Sequence, residues 1–121
     1  MSEGCLFCRL VAGEIPSTRV VETDTTVAFR DINPQAPVHV LVIPRRHVAH
    51  VQELTADHGG LLADCFETIR AVAEAEGLSD HEGTGEPAYR VVANVGAAAG
   101  MSVPHLHFHV LGGRRLAWPP G

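Results

Sequence analysis

Six residues near the C-terminus, His105-Leu106-His107-Phe108-His109-Val110, constrain this chain more than any other stretch. Polar and apolar residues alternate with a period of two, the period of a β-strand, so three imidazoles should share one face and three apolar side chains the other. At roughly 3.3 Å per residue, His105 and His109 would stand about 13 Å apart. Zinc–imidazole bonds are only about 2 Å long, so one ion cannot hold all three rings. The rings should therefore have separate jobs on a rigid platform. Otherwise they form a solvated His-rich face or an adventitious metal patch. Gly100-Met101-Ser102-Val103-Pro104 runs directly into the triplet, with a glycine that permits close backbone approach to a ligand and a serine hydroxyl.

The other elements follow from pattern and punctuation. Cys5 to Ala12 reads as a short helix ended by Gly13 and Pro16. Arg19 to Glu22 and Thr26 to Arg30 read as strands around a Thr23-Asp24-Thr25 turn. Val38 to Ile43 is β-branched and stops at Pro44. Thr55 to Glu76 carries Leu61, Leu62, Cys65, Phe66, Ile69, Val72 and Ala73 at helical spacing, with Thr55 as N-cap and Gly77 as stop. Leu78 to Pro87 reads as a polar loop, and Ala88 to Val95 and His105 to Leu111 as the last strands. One long helix, one short helix and five strands with hairpin-length links predict a single α+β domain over residues 1–121 with an antiparallel sheet.

Composition excludes several chemistries. All nine basic residues are arginine, so neither a Schiff-base lysine nor a Walker phosphate loop is available. A net charge of −5 argues against a general nucleic-acid binder. No long apolar run suggests a membrane span and no export signal is evident, so a cytoplasmic protein is expected. Three cysteines in such a chain do not suggest a disulfide framework, and Cys65 reads as a core thiol.

A neutral imidazole can attack phosphorus or acyl carbon if its other nitrogen donates to a carbonyl and fixes the tautomer. A neighbouring imidazole can donate to phosphoryl oxygens or assist a leaving group. Asp31 could accept from two vicinal hydroxyls at once, or could simply order the turn before Asn33-Pro34. Cys5-x-x-Cys8 is half a zinc site, a redox pair, or two thiols packed near the core. Phe7, Phe29 and Ile32 alone read as core. Asn94 alone reads as a strand-end turn. His39 shares the strand face of Leu41 and Ile43 and reads as a partly buried histidine with a supporting role. His58 and His81 read as solvated, and the Arg45-Arg46 and Arg114-Arg115 pairs as surface.

The triplet with apolar spacers resembles the motif of the histidine triad (HIT) proteins. Gly100-Met101-Ser102 resembles that family's Gly-Gln-Ser, with methionine in place of the usual glutamine. Phe29 to Pro37 and His39 to Pro44 are similar to its N-terminal core, and Leu111-Gly112-Gly113-Arg114 through Trp118-Pro119-Pro120-Gly121 looks like the ending of its Hint branch, the histidine triad nucleotide-binding proteins. The resemblance implies a five-stranded HIT-like fold and a homodimer with a continuous ten-stranded sheet, the tail 112–121 lying at the dimer interface. It implies hydrolysis of purine nucleoside 5′-phosphoramidates through a nucleotidyl-histidine, with dinucleoside polyphosphate hydrolysis, or a nucleotide-binding or scaffold role in which hydrolysis is incidental, as the alternatives. His107 would be the nucleophile, His109 a phosphate ligand, and His105 and Ser102 would assist. An AMP-like nucleotide would be bound by Asp31, Ile32, Phe29, Phe7, Asn94, Gly100 and Ser102 with His107 and His109. No cofactor would be needed for catalysis. A structural zinc would be held by Cys5, Cys8, His47 and His105, with His50 as competitor for the third place.

Overall fold

A computed structural model of the protein describes residues 4–79 and 88–121. Five strands, β1 (Arg19–Glu22), β2 (Thr26–Arg30), β3 (Val38–Pro44), β4 (Tyr89–Val92) and β5 (Phe108–Gly112), form one antiparallel sheet in the order β1-β2-β3-β5-β4. Helix α1 (Leu6–Val11) covers one face and helix α2 (Gly59–Ala75) the other.

Strand β3 explains why its sequence is apolar almost throughout. Val40 and Val42 point to α2 and pack with Cys65, Ile69, Val72 and Ala73. Leu41 and Ile43 point the other way, to Phe7 and Leu10 of α1. A strand covered on both faces has no solvent side to keep polar. The exception is His39, which lies on the α1 face at the open end of the strand and is buried.

Helix α2 starts later than its periodicity predicts. Thr55 caps a separate 3-10 turn, Ala56–His58, in a reciprocal arrangement with His58, and the regular helix begins at Gly59. The paired glycines 59 and 60 weaken helix propagation at that point. His58 is thus a half-buried capping residue whose Nδ1 accepts the Thr55 N–H at 2.9 Å, not a solvated one. The C-terminus matches expectation: Gly77 sits at φ +73°, and Leu78 N–H reaches back to Ala73 O at 2.8 Å. Leu78, expected in a polar loop, is buried in the α2-side core; the rest of that loop from residue 80, with His81, lies outside the described residues. Among the described residues no helix is long and apolar enough to cross a membrane.

The last strand also departs from its pattern. Its ladder with β3 begins only at Phe108, opposite Val42. Upstream, Leu106 N–H donates to Val48 O in the segment after β3, which draws residues 105–107 off the ladder. The facing predicted by alternation survives: Leu106, Phe108 and Val110 enter the α2-side core, while His105 and His107 contact Phe7 on the α1 side. β4 is shorter than expected, and Ala93 to Val95 lie outside it.

Candidate active site

Four histidines, not three, make one row on the face of the sheet that carries α1, with His105 and His107 touching the helix. His109 pairs with Leu41 and His39 with Leu111, so His39 and His109 are diagonal neighbours on the same face. Their rings lie 5.1 Å apart, as do those of His107 and His109. Phe7 meets His107 edge-on at 5.2 Å and His105 at 6.0 Å.

Main-chain partners dictate where each ring carries its hydrogen. A carbonyl oxygen only accepts, so the ring nitrogen facing it must donate. His107 Nδ1 lies 2.7 Å from His105 O, which puts its hydrogen on Nδ1 and leaves a lone pair on Nε2. His105 Nε2 lies 2.9 Å from Pro44 O, which leaves its lone pair on Nδ1. That lone pair faces Cys5 Sγ at 3.3 Å, Cys8 Sγ at 3.4 Å and His47 Nδ1 at 3.3 Å, and Cys8 Sγ is 3.3 Å from His47 Nδ1. Cys5 caps α1, and its sulfur accepts the Cys8 N–H, so the first turn of the helix presents both sulfurs to one point.

These four donors fit a closed tetrahedral site. Bonds of about 2.0 Å to nitrogen and 2.3 Å to sulfur require donor separations of roughly 3.3–3.8 Å. All four donor atoms lie within 4.8 Å of one another, and His47 rather than His50 completes the set. Burial, reinforced by the adjacent Cys5 thiol, pushes the Cys8 thiol up to about 11, so bringing a cation here would displace thiol protons.

At the other end, Asp31 has two engagements. Its Oδ1 accepts the Asn33 N–H at 2.8 Å, the turn-ordering role, and Oδ2 lies 3.4 Å from His39 Nε2. Of the remaining residues singled out in the sequence, Phe7 and Phe29 are buried against each other with ring centroids 5.4 Å apart. Ile32 is fully exposed. Asn94 is half-buried beside Gly100, and Ser102 is exposed on the loop before the triplet. Gly100 sits at φ +98°, where other residues are strained, and lets the chain turn out of the 3-10 segment Ala97–Ala99 towards Ser102.

Burial depresses His39, His105 and His109, and His109 furthest. Its desolvation, with His107 and His39 alongside, lowers it from 6.5 to about 4 against the opposing pull of Asp31. An unfolded chain takes up this proton near pH 6.5, whereas the folded one resists it until about pH 4. Stability held by neutral His109 is complete above pH 6.5 and is lost as pH falls towards 4. Between pH 7 and pH 5 the wild type should lose about 1–2 kcal/mol more than His109→Gln, read from urea unfolding. Parallel losses in the two proteins would contradict this assignment.

The chain matches the HIT domain over residues 12–116. It belongs to the HIT family. A HIT family hydrolase from Legionella pneumophila superimposes with a TM-score of 0.89 at 47% identity, covering 98% of this chain and all of that one. A histidine triad nucleotide-binding protein from Candida albicans gives a TM-score of 0.79 at 33% identity, over 96% of this chain and 83% of that one. A 14 kDa zinc-binding protein of Zea mays is 42% identical over 96% of this chain and 87% of its own length. The five-stranded antiparallel sheet with one long and one short helix is the fold of this HIT protein.

Proposed function

We propose that this HIT protein is a nucleotide-binding hydrolase that cleaves the P–N bond of purine nucleoside 5′-phosphoramidates. The observation that carries the reading is the pairing of an imidazole lone pair, His107 Nε2, with an adjacent imidazole, His109, whose ring centroid lies 5.1 Å away. Holding nucleophile and phosphate ligand together in advance lowers the entropic cost of the transition state.

His107 Nε2 attacks the α-phosphorus and the bond to the amine breaks, giving a nucleotidyl-His107. The amine leaves as it takes a proton from solvent water, and Ser102, exposed on the loop before the triplet, hydrogen-bonds the leaving nitrogen or the phosphate. His109 hydrogen-bonds a non-bridging oxygen, where charge accumulates. Water then attacks phosphorus, the P–N bond to His107 breaks, the water's proton returns to solvent, and the nucleoside monophosphate departs with His107 neutral again. Asp31 accepts from the ribose hydroxyls. The exposed Ile32 and the Phe29 end of β2 lie beside the base, with Phe7 beneath, and Asn94 and Gly100 flank the phosphate.

A zinc ion held by Cys5, Cys8, His47 and His105 would be structural, with no open position, and would tie α1 to the residue before the nucleophile. The name of the maize relative and the donor geometry support this. A homodimer joined along β4 is consistent with its place at the sheet edge among the described residues, with exposed Phe66 and Tyr89 beside it, and with Trp118 standing out from the tail.

The reading is tested by comparing turnover of an adenosine 5′-phosphoramidate with that of a diadenosine polyphosphate. The phosphoramidate should have the higher kcat/KM by at least about tenfold, a difference of roughly 1.4 kcal/mol in transition-state stabilisation. The reverse preference would assign the site to dinucleoside polyphosphate hydrolysis. AMP binding with no turnover of either would make the protein a binding module.

A further inference from the structure

The loop 31–37 places one main-chain group against the histidine row. Gln35 N–H donates to His39 Nδ1 at 3.0 Å. A peptide N–H never becomes an acceptor, so His39 must keep its lone pair on Nδ1 and its hydrogen on Nε2. Nε2 lies 2.9 Å from His109 Nδ1. Two hydrogens cannot occupy that gap, so His109 Nδ1 accepts and its own hydrogen sits on Nε2. His109 Nε2 is buried and has no hydrogen-bond partner among the described residues. Asp31 Oδ2, 3.4 Å from His39 Nε2, adds negative charge on the side where the His39 hydrogen sits.

We propose that the Gln35 main-chain N–H, acting through His39, fixes His109 as a hydrogen-bond donor at Nε2. His39 is a positioning residue in this account. Next to His109, the His105 carbonyl fixes His107 in the opposite sense, with its lone pair at Nε2. Two neighbouring rings on one strand face are thereby given complementary roles by two main-chain groups of opposite polarity. The arrangement also stops proton conduction. If His109 gave up its Nε2 hydrogen and took that of His39, His39 would be left with no hydrogen on either nitrogen, since Gln35 N–H does not transfer one. The pair therefore holds its proton against an accepting oxygen, and the amine that leaves in the proposed reaction draws its proton from elsewhere. Only what the donor meets rests on the proposed phosphoramidate reading; the tautomers themselves do not.

Long-range proton–nitrogen correlation spectra of the [15N]histidine-labelled protein, without nucleotide at pH 7.5, read the tautomers directly. His39 and His109 should both give the neutral Nε2–H pattern, and His107 the Nδ1–H pattern. His39→Leu should move His109 towards a mixture of tautomers and lower kcat by about 10–100-fold with KM little changed. His39→Gln, whose amide can present an N–H to His109 Nδ1, should recover both the pattern and most of the rate. An Nδ1–H pattern for His109 in the wild type, or an unmoved His109 pattern in His39→Leu, would overturn the proposal. If the spectra follow these expectations while phosphoramidates are inert, the substrate reading fails and the tautomer chain stands.

Discussion

Replacing His107 with alanine is expected to lower kcat on an adenosine 5′-phosphoramidate by roughly 10⁴-fold or more while leaving AMP affinity within a few-fold. The reason is structural economy at this position. His107 has one nitrogen committed to the His105 carbonyl, so Nε2 is the nitrogen left for attack on phosphorus. His109 turns Nδ1 to His39 and, with the tautomer proposed above, has a hydrogen rather than a lone pair at Nε2, and His105 is turned to the cysteines. Neither can replace a missing nucleophile. The substitution removes a buried ring that packs on Phe7, so some loss of stability accompanies it. Unfolding midpoints and calorimetric AMP titration separate that loss from loss of chemistry. Activity within tenfold of wild type would place the nucleophile elsewhere.

The second large effect concerns the cysteine–histidine cluster. Wild-type protein should carry about one zinc per chain, and Cys8→Ser should carry little or none. Loss of the metal should lower folding stability by about 3 kcal/mol or more, because the donors sit on three separate segments, α1, the turn after β3 and the approach to β5, that the ion would join. A strong chelator should bring the wild type to the same midpoint as Cys8→Ser. Cys65→Ser provides a control, since that thiol is fully buried in the α2-side core, far from this set of donors in the fold. Unchanged stability on chelation, together with absence of zinc from the purified wild type, would show the cluster to be four packed side chains and nothing more.

The sequence disclosed the fold through local signals that nothing in the tertiary structure opposes. Strands β1 and β2 and helix α1 lie where turn residues and β-branched runs place them. The departures have physical causes at particular residues. Helix α2 begins at Gly59 because Thr55 and His58 close a reciprocal cap around the 3-10 turn Ala56–His58, whereas periodicity alone extends the helix to Thr55. The ladder of β5 begins at Phe108 because Leu106 spends its N–H on Val48, a contact between segments 58 residues apart in sequence. Alternation still reported the facing correctly, since burial depends on side-chain direction and not on ladder bonds.

For the site, spacing marked His105, His107 and His109 but could not distribute their roles. Those roles depend on which carbonyl or N–H meets each ring nitrogen, and Pro44, His105 and Gln35 supply them through main-chain atoms that no side-chain motif records. His39 was legible only as a buried histidine on the right strand face. Its contact with His109 follows from the β3–β5 register, which sequence periodicity does not specify. The competition between His47 and His50 likewise resolves only once the turn after Pro44 is seen.

The central claim is that phosphorus becomes bonded to His107 Nε2. Rapid quenching of the enzyme with an adenosine phosphoramidate under single-turnover conditions, followed by mass spectrometry of the intact chain and its peptides, measures this directly. A transient gain of one nucleotidyl group is expected, located on the peptide containing His107 and absent from His107→Ala. Full product formation with no adduct at any quench time, or an adduct on another residue, would contradict it.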